Sequence, residues 1–220
     1  DFPGGVEDYA WSPDGKYLVV VATDPERPAG AKKPPNPPPI VTDRFMFKED
    51  NYGYLTAKRR HLYLYQVEGG AVTQLGSGES DEYLPAWSPD GHQIAYVSKR
   101  GGDADRHLNY DIYLVEPRKG SAERRLTSFA GADLDPYWGS RPAWSPDGRR
   151  IAYLQGGEDK WIYYSPWQLA IIDVATGTSK LPAPVDRCFY KPTWSPDGHS
   201  VLTLIEHSRV THLSGVDVTS

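Results

Sequence analysis

The sequence predicts an all-β chain built from repeated antiparallel sheets, and three observations support this. The pentapeptide Trp-Ser-Pro-Asp-Gly occurs four times, beginning at Trp11, Trp87, Trp144 and Trp194, at intervals of 76, 57 and 50 residues. Tyrosine (15) and tryptophan (7) stand beside a single methionine, a mixture that packs well on pleated surfaces. No stretch sustains a 3.6-residue apolar period over a dozen positions, so long amphipathic helices are not expected.

The pentapeptide reads as a hairpin turn. Serine opens it, proline presets φ near about −65°, aspartate tolerates the third position and glycine supplies a positive φ at the exit. A type I turn followed by a left-handed glycine is a common tight connection between antiparallel strands. Trp11, Trp87, Trp144 and Trp194 therefore end one strand, and the next begins just past Gly15, Gly91, Gly148 and Gly198. On this reading Asp14, Asp90, Asp147 and Asp197 form turns and do not carry chemistry.

The remaining strands follow in order. Those after the turn are Tyr17–Val21, Ile94–Val97, Ile151–Leu154 and Val201–Leu204. Third strands read His61–Tyr65, Asp111–Val115 and Gln168–Ile172, with Val210–Val218 in the last repeat. Fourth strands read Val72–Leu75, Arg124–Thr127 and Thr178–Leu181, and the last repeat lacks one. Four antiparallel strands recurring every ~40–50 residues are the signature of a β-propeller blade. The expected fold is a partial β-propeller, with three full blades and most of a fourth. It forms a single domain over 1–220, with blades at about 6–76, 81–127, 139–182 and 187–220.

The long first interval comes from an insertion at 23–60. It opens with Pro25, Pro28, Pro34, Pro35, Pro37, Pro38 and Pro39, a stiff extended run. It continues through Ile40–Lys48, which alternates like a strand, to Asp50-Asn51-Tyr52-Gly53-Tyr54-Leu55. The insertion carries 8 Lys/Arg against 5 Asp/Glu on a chain of net charge −5. Alternation along the strands puts the uniform turns on one face of the sheets. The variable segments 23–60, 99–110, 128–140 and 155–166 fall on the other, where a rigid scaffold usually carries its binding residues.

Several function classes are excluded or left without support. No apolar run approaches the ~18–20 residues of a membrane-spanning helix. The acidic balance gives no nucleic-acid footprint. A single cysteine, Cys188, excludes an internal disulfide and any all-cysteine zinc site. There is no Gly-x-Ser-x-Gly nucleophile elbow, no phosphate-binding glycine loop and no metal-binding histidine spacing, so neither cofactor nor metal is expected. In the variable segments Arg44, Arg106 and His107 read first as solvated surface, next as ion-pair partners, and last as ligand contacts. The aromatic cluster Trp161, Tyr163, Tyr164 and Trp167 reads first as packing and second as the wall of a binding funnel.

The repeats with their flanking strands resemble two groups of propellers. One is the periplasmic propeller of the Tol system, and the other is the non-catalytic propeller of the prolyl oligopeptidase family of serine peptidases. Asp43-Arg44-Phe45 with Lys48, Asp50, Gly53-Tyr54-Leu55 and Arg60-His61-Leu62-Tyr63 is similar to the first-blade insertion of the acylaminoacyl-peptidase branch. Ser98-Lys99-Arg100 through Asp105-Arg106-His107 to Asp111-Ile112-Tyr113 is similar to its next blade. The resemblance implies a propeller that screens peptide substrates and docks a C-terminal α/β-hydrolase domain. The catalytic serine, aspartate and histidine would lie in that domain and have no counterpart in this chain. Substrate-facing or docking candidates are then Arg44, Tyr54, Arg106, His107 and Trp161. The chain alone is expected to be inactive, with the parent protein a serine peptidase. Its expected partners are a peptide and the hydrolase domain, and it is expected to self-associate through uncovered blade faces. The cytoplasm is the expected compartment, which a lone cysteine fits, with the periplasm of the Tol-system propeller as the alternative. A stand-alone protein-binding propeller is the competing reading.

Overall fold

The pentapeptide turn closes the same way in all four copies. In the first, the Gly15 N–H donates to the Ser12 carbonyl (3.0 Å) and the Ser12 N–H to the Tyr17 carbonyl (2.9 Å). The Ser12 hydroxyl donates to Asp14 (2.7 Å) and accepts the Tyr17 N–H (2.9 Å), while Asp14 also accepts the Lys16 N–H (3.0 Å). The same bonds recur around Ser88, Ser145 and Ser195. Gly15, Gly91, Gly148 and Gly198 take φ between 70° and 73°, the left-handed region that a side chain disfavours. The serine hydroxyl, then the backbone N–H, holds each of Asp14, Asp90, Asp147 and Asp197 below the usual carboxylate pKa.

The structure is a computed structural model describing residues 2–25, 36, 39–42, 44–50, 52–55, 58–161 and 164–218. Of the residues singled out above, Pro28, Pro34, Pro35, Pro37, Pro38, Asp43, Asn51 and Tyr163 lie outside those described. Among the described residues, eighteen strands follow in chain order. The first repeat has β1 (Val6–Trp11), β2 (Tyr17–Thr23), β3 (Lys48–Glu49), β4 (Gly53–Tyr54), β5 (Arg60–Gln66) and β6 (Val72–Gln74). The second has β7 (Glu82–Trp87), β8 (Ile94–Ser98), β9 (Asp111–Val115) and β10 (Arg124–Arg125). The third has β11 (Gly131–Asp133), β12 (Ala143–Trp144), β13 (Arg150–Glu158), β14 (Gln168–Asp173) and β15 (Ser179–Lys180). The fourth has β16 (Phe189–Trp194), β17 (Ser200–His207) and β18 (Val210–Asp217).

These strands form the blades of a partial propeller. The sheets run β1-β2-β5-β6, β7-β8-β9-β10, β11-β13-β14-β15 with β12 also on β13, and β16-β17-β18, with every pairing antiparallel. Register repeats with the motif: Trp11, Trp87, Trp144 and Trp194 sit opposite Leu18, Ile94, Ile151 and Val201. Two apolar clusters lie between sheets. One gathers Val19, Val21, Leu62, Ile94 and Tyr96 from the first two sheets; the other runs from Ile112 and Leu114 through Ile151, Leu154 and Leu169 to Phe189 and Val201.

Each later motif tryptophan also fastens its sheet to the one before. The indole N–H groups of Trp87, Trp144 and Trp194 donate to the carbonyls of Ala10, Ala86 and Ala143, at 3.1, 3.0 and 2.8 Å. In each case the acceptor is the residue just before the previous motif's tryptophan. Turns stack likewise, because a Cβ at Gly91, Gly148 or Gly198 would sit 3.7–3.8 Å from Pro13, Pro89 or Pro146.

The first two junctions solve one polar problem differently. After the fourth strand, the Leu62 carbonyl accepts Leu75 N–H, and the Ile112 carbonyl accepts Leu126 N–H. The N–H of Ile112 finds the Thr127 hydroxyl of its own sheet (2.9 Å). The N–H of Leu62 finds Glu82 of the next sheet (2.7 Å), over Gly76, where a Cβ would lie 1.9 Å from that carboxylate. Glu82 is fully buried, and burial pushes its pKa up to about 8, outweighing Arg100 at 3.5 Å.

Three expectations need correction. Among the described residues of Ile40–Lys48 only Lys48 lies in a strand: Lys48–Glu49 pairs with Gly53–Tyr54 and the Phe47 carbonyl accepts the Leu55 N–H (2.9 Å), while Ile40, Val41, Phe45 and Phe47 are exposed. The segment 128–140 is not only a connection. Gly131–Asp133 pairs with β13, and a 3-10 turn at Pro136–Trp138, capped by Asp135 and closed by left-handed Gly139, splits the first strand in two. Likewise Gln155–Glu158 prolongs β13 into the segment read as a loop.

Candidate functional site

Side chains on the loop face organise around Arg60, at the start of β5. The guanidinium lies 4.3 Å from the Tyr52 ring and 5.5 Å from the Tyr83 ring, and it donates to the Tyr83 hydroxyl at 3.1 Å. Glu49 and Asp81 flank it at 3.6 and 3.7 Å, and Asp81 also accepts the Arg60 N–H at 2.8 Å. Tyr52 donates to Glu7 (2.9 Å), and Tyr137 donates to Glu49. The insertion is thereby tied to the first strand of its own sheet and to the third repeat. Burial, foremost, raises the pKa of Tyr83 and Tyr137, so both hydroxyls stay protonated donors. Arg141, just before β12, pairs with Asp8 of β1 and donates to the Pro85 carbonyl (2.9 Å), spanning three repeats.

A second cluster joins the insertion to the second repeat. Arg44 makes a bidentate ion pair with Asp105 (2.9 and 2.6 Å), and Asp105 also accepts the Met46 N–H (3.1 Å). The guanidinium, before anything else, lowers the pKa of Asp105. Such paired forks are the strong form of the arginine–carboxylate contact. Arg44 and Asp105 line a depression together with Arg60, Lys99, Tyr110 and Tyr137.

A third feature is a smaller pocket of about 110 Å³ between the third and fourth repeats. Trp138 and Trp167 form its aromatic wall, with ring centroids 5.9 Å apart, and Trp138 also meets Tyr190 at 5.4 Å. Gly156 and Gly157 contribute bare backbone. A Cβ on either would meet the Trp167 ring at 3.0 Å or Ser165 at 2.1 Å. Asp135 and Asp159 supply the charge.

The candidates from sequence are distributed unevenly over this face. Arg44 lines the second cluster. Arg106 pairs with Asp103 (2.6 Å) and covers the Phe45 ring (4.1 Å). His107 accepts the Asn109 N–H through Nδ1 (3.2 Å), a local turn contact. Tyr54 is exposed on the β3–β4 hairpin, and Trp161 is exposed beneath Lys160. In the aromatic cluster, Trp167 packs against the larger core and lines the third pocket, while Tyr164 is exposed. Sequence reasoning passed over Glu49, Tyr83, Asp135, Tyr137 and Trp138. The signal available for the last three was Asp135-Pro136-Tyr137-Trp138-Gly139, a capped turn carrying two aromatic rings.

Chemically, these side chains offer a ligand charge and aromatic faces. No protein-family profile matches the chain. It is 30% identical over 177 residues to dipeptidyl-peptidase 5 of Porphyromonas endodontalis, covering 71% of this chain and 24% of that protein. It is 27% identical over 157 residues to a TolB homolog of Chlorobium luteolum, covering 55% of this chain and 33% of that one. The fold superposes on acylaminoacyl peptidase of Pyrococcus horikoshii with TM-score 0.66 at 18% identity, over 96% of this chain and 30% of that one. The chain thus spans about a quarter to a third of these proteins' lengths. It matches the propeller portion of such peptidases, and TolB is similar too. Among the described residues, no helix is long and apolar enough to cross a membrane.

Proposed function

We propose that this chain is the substrate-screening, non-catalytic propeller segment of an acylaminoacyl-peptidase-like serine oligopeptidase. The observation that carries the reading is the asymmetry between its faces, joined to the likeness to dipeptidyl-peptidase 5. One face repeats a single turn. The other gathers arginines, carboxylates and tyrosines into shallow, partly buried pockets, where an extended peptide finds both charge and ring surfaces. Arg44, Tyr54, Arg106, His107 and Trp161 present this face to the hydrolase domain and to peptide. The isolated segment self-associates through its uncovered blade faces; the last sheet, of three strands among the described residues, leaves Val210 and Leu213 of β18 exposed beside them.

The test has two parts. The purified chain is expected to leave acyl-aminoacyl p-nitroanilides intact. The full-length protein is expected to cleave them, and to lose discrimination between short peptides and folded proteins when Arg44 becomes alanine. A reading frame that continues beyond Ser220 only into further blades overturns the proposal. It favours instead a stand-alone protein-binding propeller, the reading that the TolB likeness supports.

A further inference from the structure

Eight aromatic rings of the described structure hold one of the chain's own cations over their faces: Tyr52, Tyr83, Tyr96, Tyr110, Tyr113, Phe45, Trp161 and Trp194. The rings of the third pocket are not among them. Among the described residues, no lysine or arginine covers Trp138 or Trp167 or lines the pocket. Asp135 caps the turn by accepting the Tyr137 N–H (2.9 Å) and has no ion-pair partner among the described residues. Asp159 accepts the Leu108 N–H (3.1 Å). Both carboxylates thus have backbone contacts and no neutralising contact.

Burial raises the pKa of Asp135, and Lys99, which lines the neighbouring depression, offsets that only through space. A half-buried carboxylate beside two indole faces is a setting that attracts an organic cation. Ring quadrupole and carboxylate act on the same charge, and the apolar wall strips it of water. The chemistry narrows the choice. A planar, weakly hydrated guanidinium stacks on an indole face and pairs with a carboxylate better than a compact, strongly hydrated ammonium.

We propose that this pocket is a subsite for the arginine side chain of a peptide, stacked on Trp138 and Trp167 and paired with Asp135. The proposal rests on the reading that this face meets peptides, and it names the side chain selected there. The experiment uses two heptapeptides, N-acetylated and C-amidated so that no terminus contributes charge. They are identical except for a central arginine or its neutral isostere citrulline. Binding to the full chain is followed by tryptophan fluorescence and calorimetry. Arginine is expected to tighten binding about tenfold over citrulline. Asp135→Asn, which keeps a capping oxygen, is expected to reduce that ratio to about one, and so is Trp138→Leu. Melting curves check that both variants fold. Equal binding of the two peptides, or an arginine preference that survives Asp135→Asn, overturns the subsite. That outcome leaves the screening proposal standing, because its test reads hydrolysis by the full-length protein.

Discussion

The turn face and the loop face of this chain are held together by different arithmetic. On the turn face the motif's polar partners lie within five residues or one repeat away; the turn bonds are made four times and the indole link three times. On the loop face, Arg60 meets Tyr83 across 23 positions, Arg44 meets Asp105 across 61, and Arg141 meets Asp8 across 133. The first pattern is written into local sequence and supports a scaffold. The second exists only after folding, and so it varies freely between repeats while the scaffold stays fixed.

The comparison breaks most visibly at a motif tryptophan. Trp144→Ala removes both the link to Ala86 and the packing at that junction, and it is expected to cost about 3 kcal/mol in urea unfolding. Trp11 is 54% exposed, and its indole makes no such link among the described residues. Trp11→Ala is therefore expected to cost less than about 1 kcal/mol. Equal losses at the two positions would place the energy in the pentapeptide alone and not in the junction.

Arg60→Met tests the other face. It leaves Glu49 and Asp81 without their shared cation, at a cost of about 2 kcal/mol, toward the low side for a buried pair because the cluster reaches solvent. Hydrogen exchange is expected to quicken at Arg60 and its neighbours while the Gly15, Gly91 and Gly148 amides keep their protection. Loss of protection at those turns would couple the faces.

Glu82 sharpens the contrast between junctions. Its folded pKa of about 8 lies above the ordinary carboxylate value, so the native state holds a proton that the unfolded chain releases. Stability from this site is present at low pH and declines as pH rises through the window from the ordinary value to about 8. Glu82→Gln keeps an acceptor for Leu62 N–H and loses the titration. The variant is expected to gain on the native protein by on the order of 2 kcal/mol between about pH 5 and pH 9. An unchanged difference across that range would mean that Arg100 keeps the carboxylate ionised throughout. At the next junction the acceptor is the Thr127 hydroxyl, which does not itself titrate.

The smallest effect belongs to the turn itself. Ser88→Ala leaves Gln93 N–H without its hydroxyl partner and frees Asp90, for a loss of about 1 kcal/mol read from the melting midpoint.

These differences mark how far the sequence was legible. The sheets could be read because proline, glycine and a hydrogen-bonding pair fix a turn within five residues. The strands beside it then inherit their register. The tryptophan links were within reach, since a ring at the same place in four copies implies a common partner, but the acceptor lies one repeat back and local propensity does not see it. The loop face was legible only as composition. Arg44 and Arg106 could be nominated as charges, whereas the pairing of Arg44 with Asp105 and the cover that Arg106 gives Phe45 depend on how the insertion is laid down. Glu49, Tyr83 and Tyr137 gave no signal because each is ordinary until Arg60 stands among them. The splitting of the third repeat's first strand was hidden for a related reason: Gly131–Asp133 is too short to declare a strand before β13 offers it an edge.

The indole-to-carbonyl link has a consequence of another kind. Each sheet is fastened to the one before it by the same few contacts, so the array approximates a one-dimensional chain of coupled units in which order passes from neighbour to neighbour. In such an array a lesion acts as a cut. Severing the middle link divides one melting event into two, each half keeping its own temperature, whereas the same lesion at an end only shortens the cooperative block. Tolerance to change follows the same geometry. A repeat that rewrites its loops leaves the indole links on the turn face in place, so binding surfaces can diversify along the array while those fastenings stay as they are.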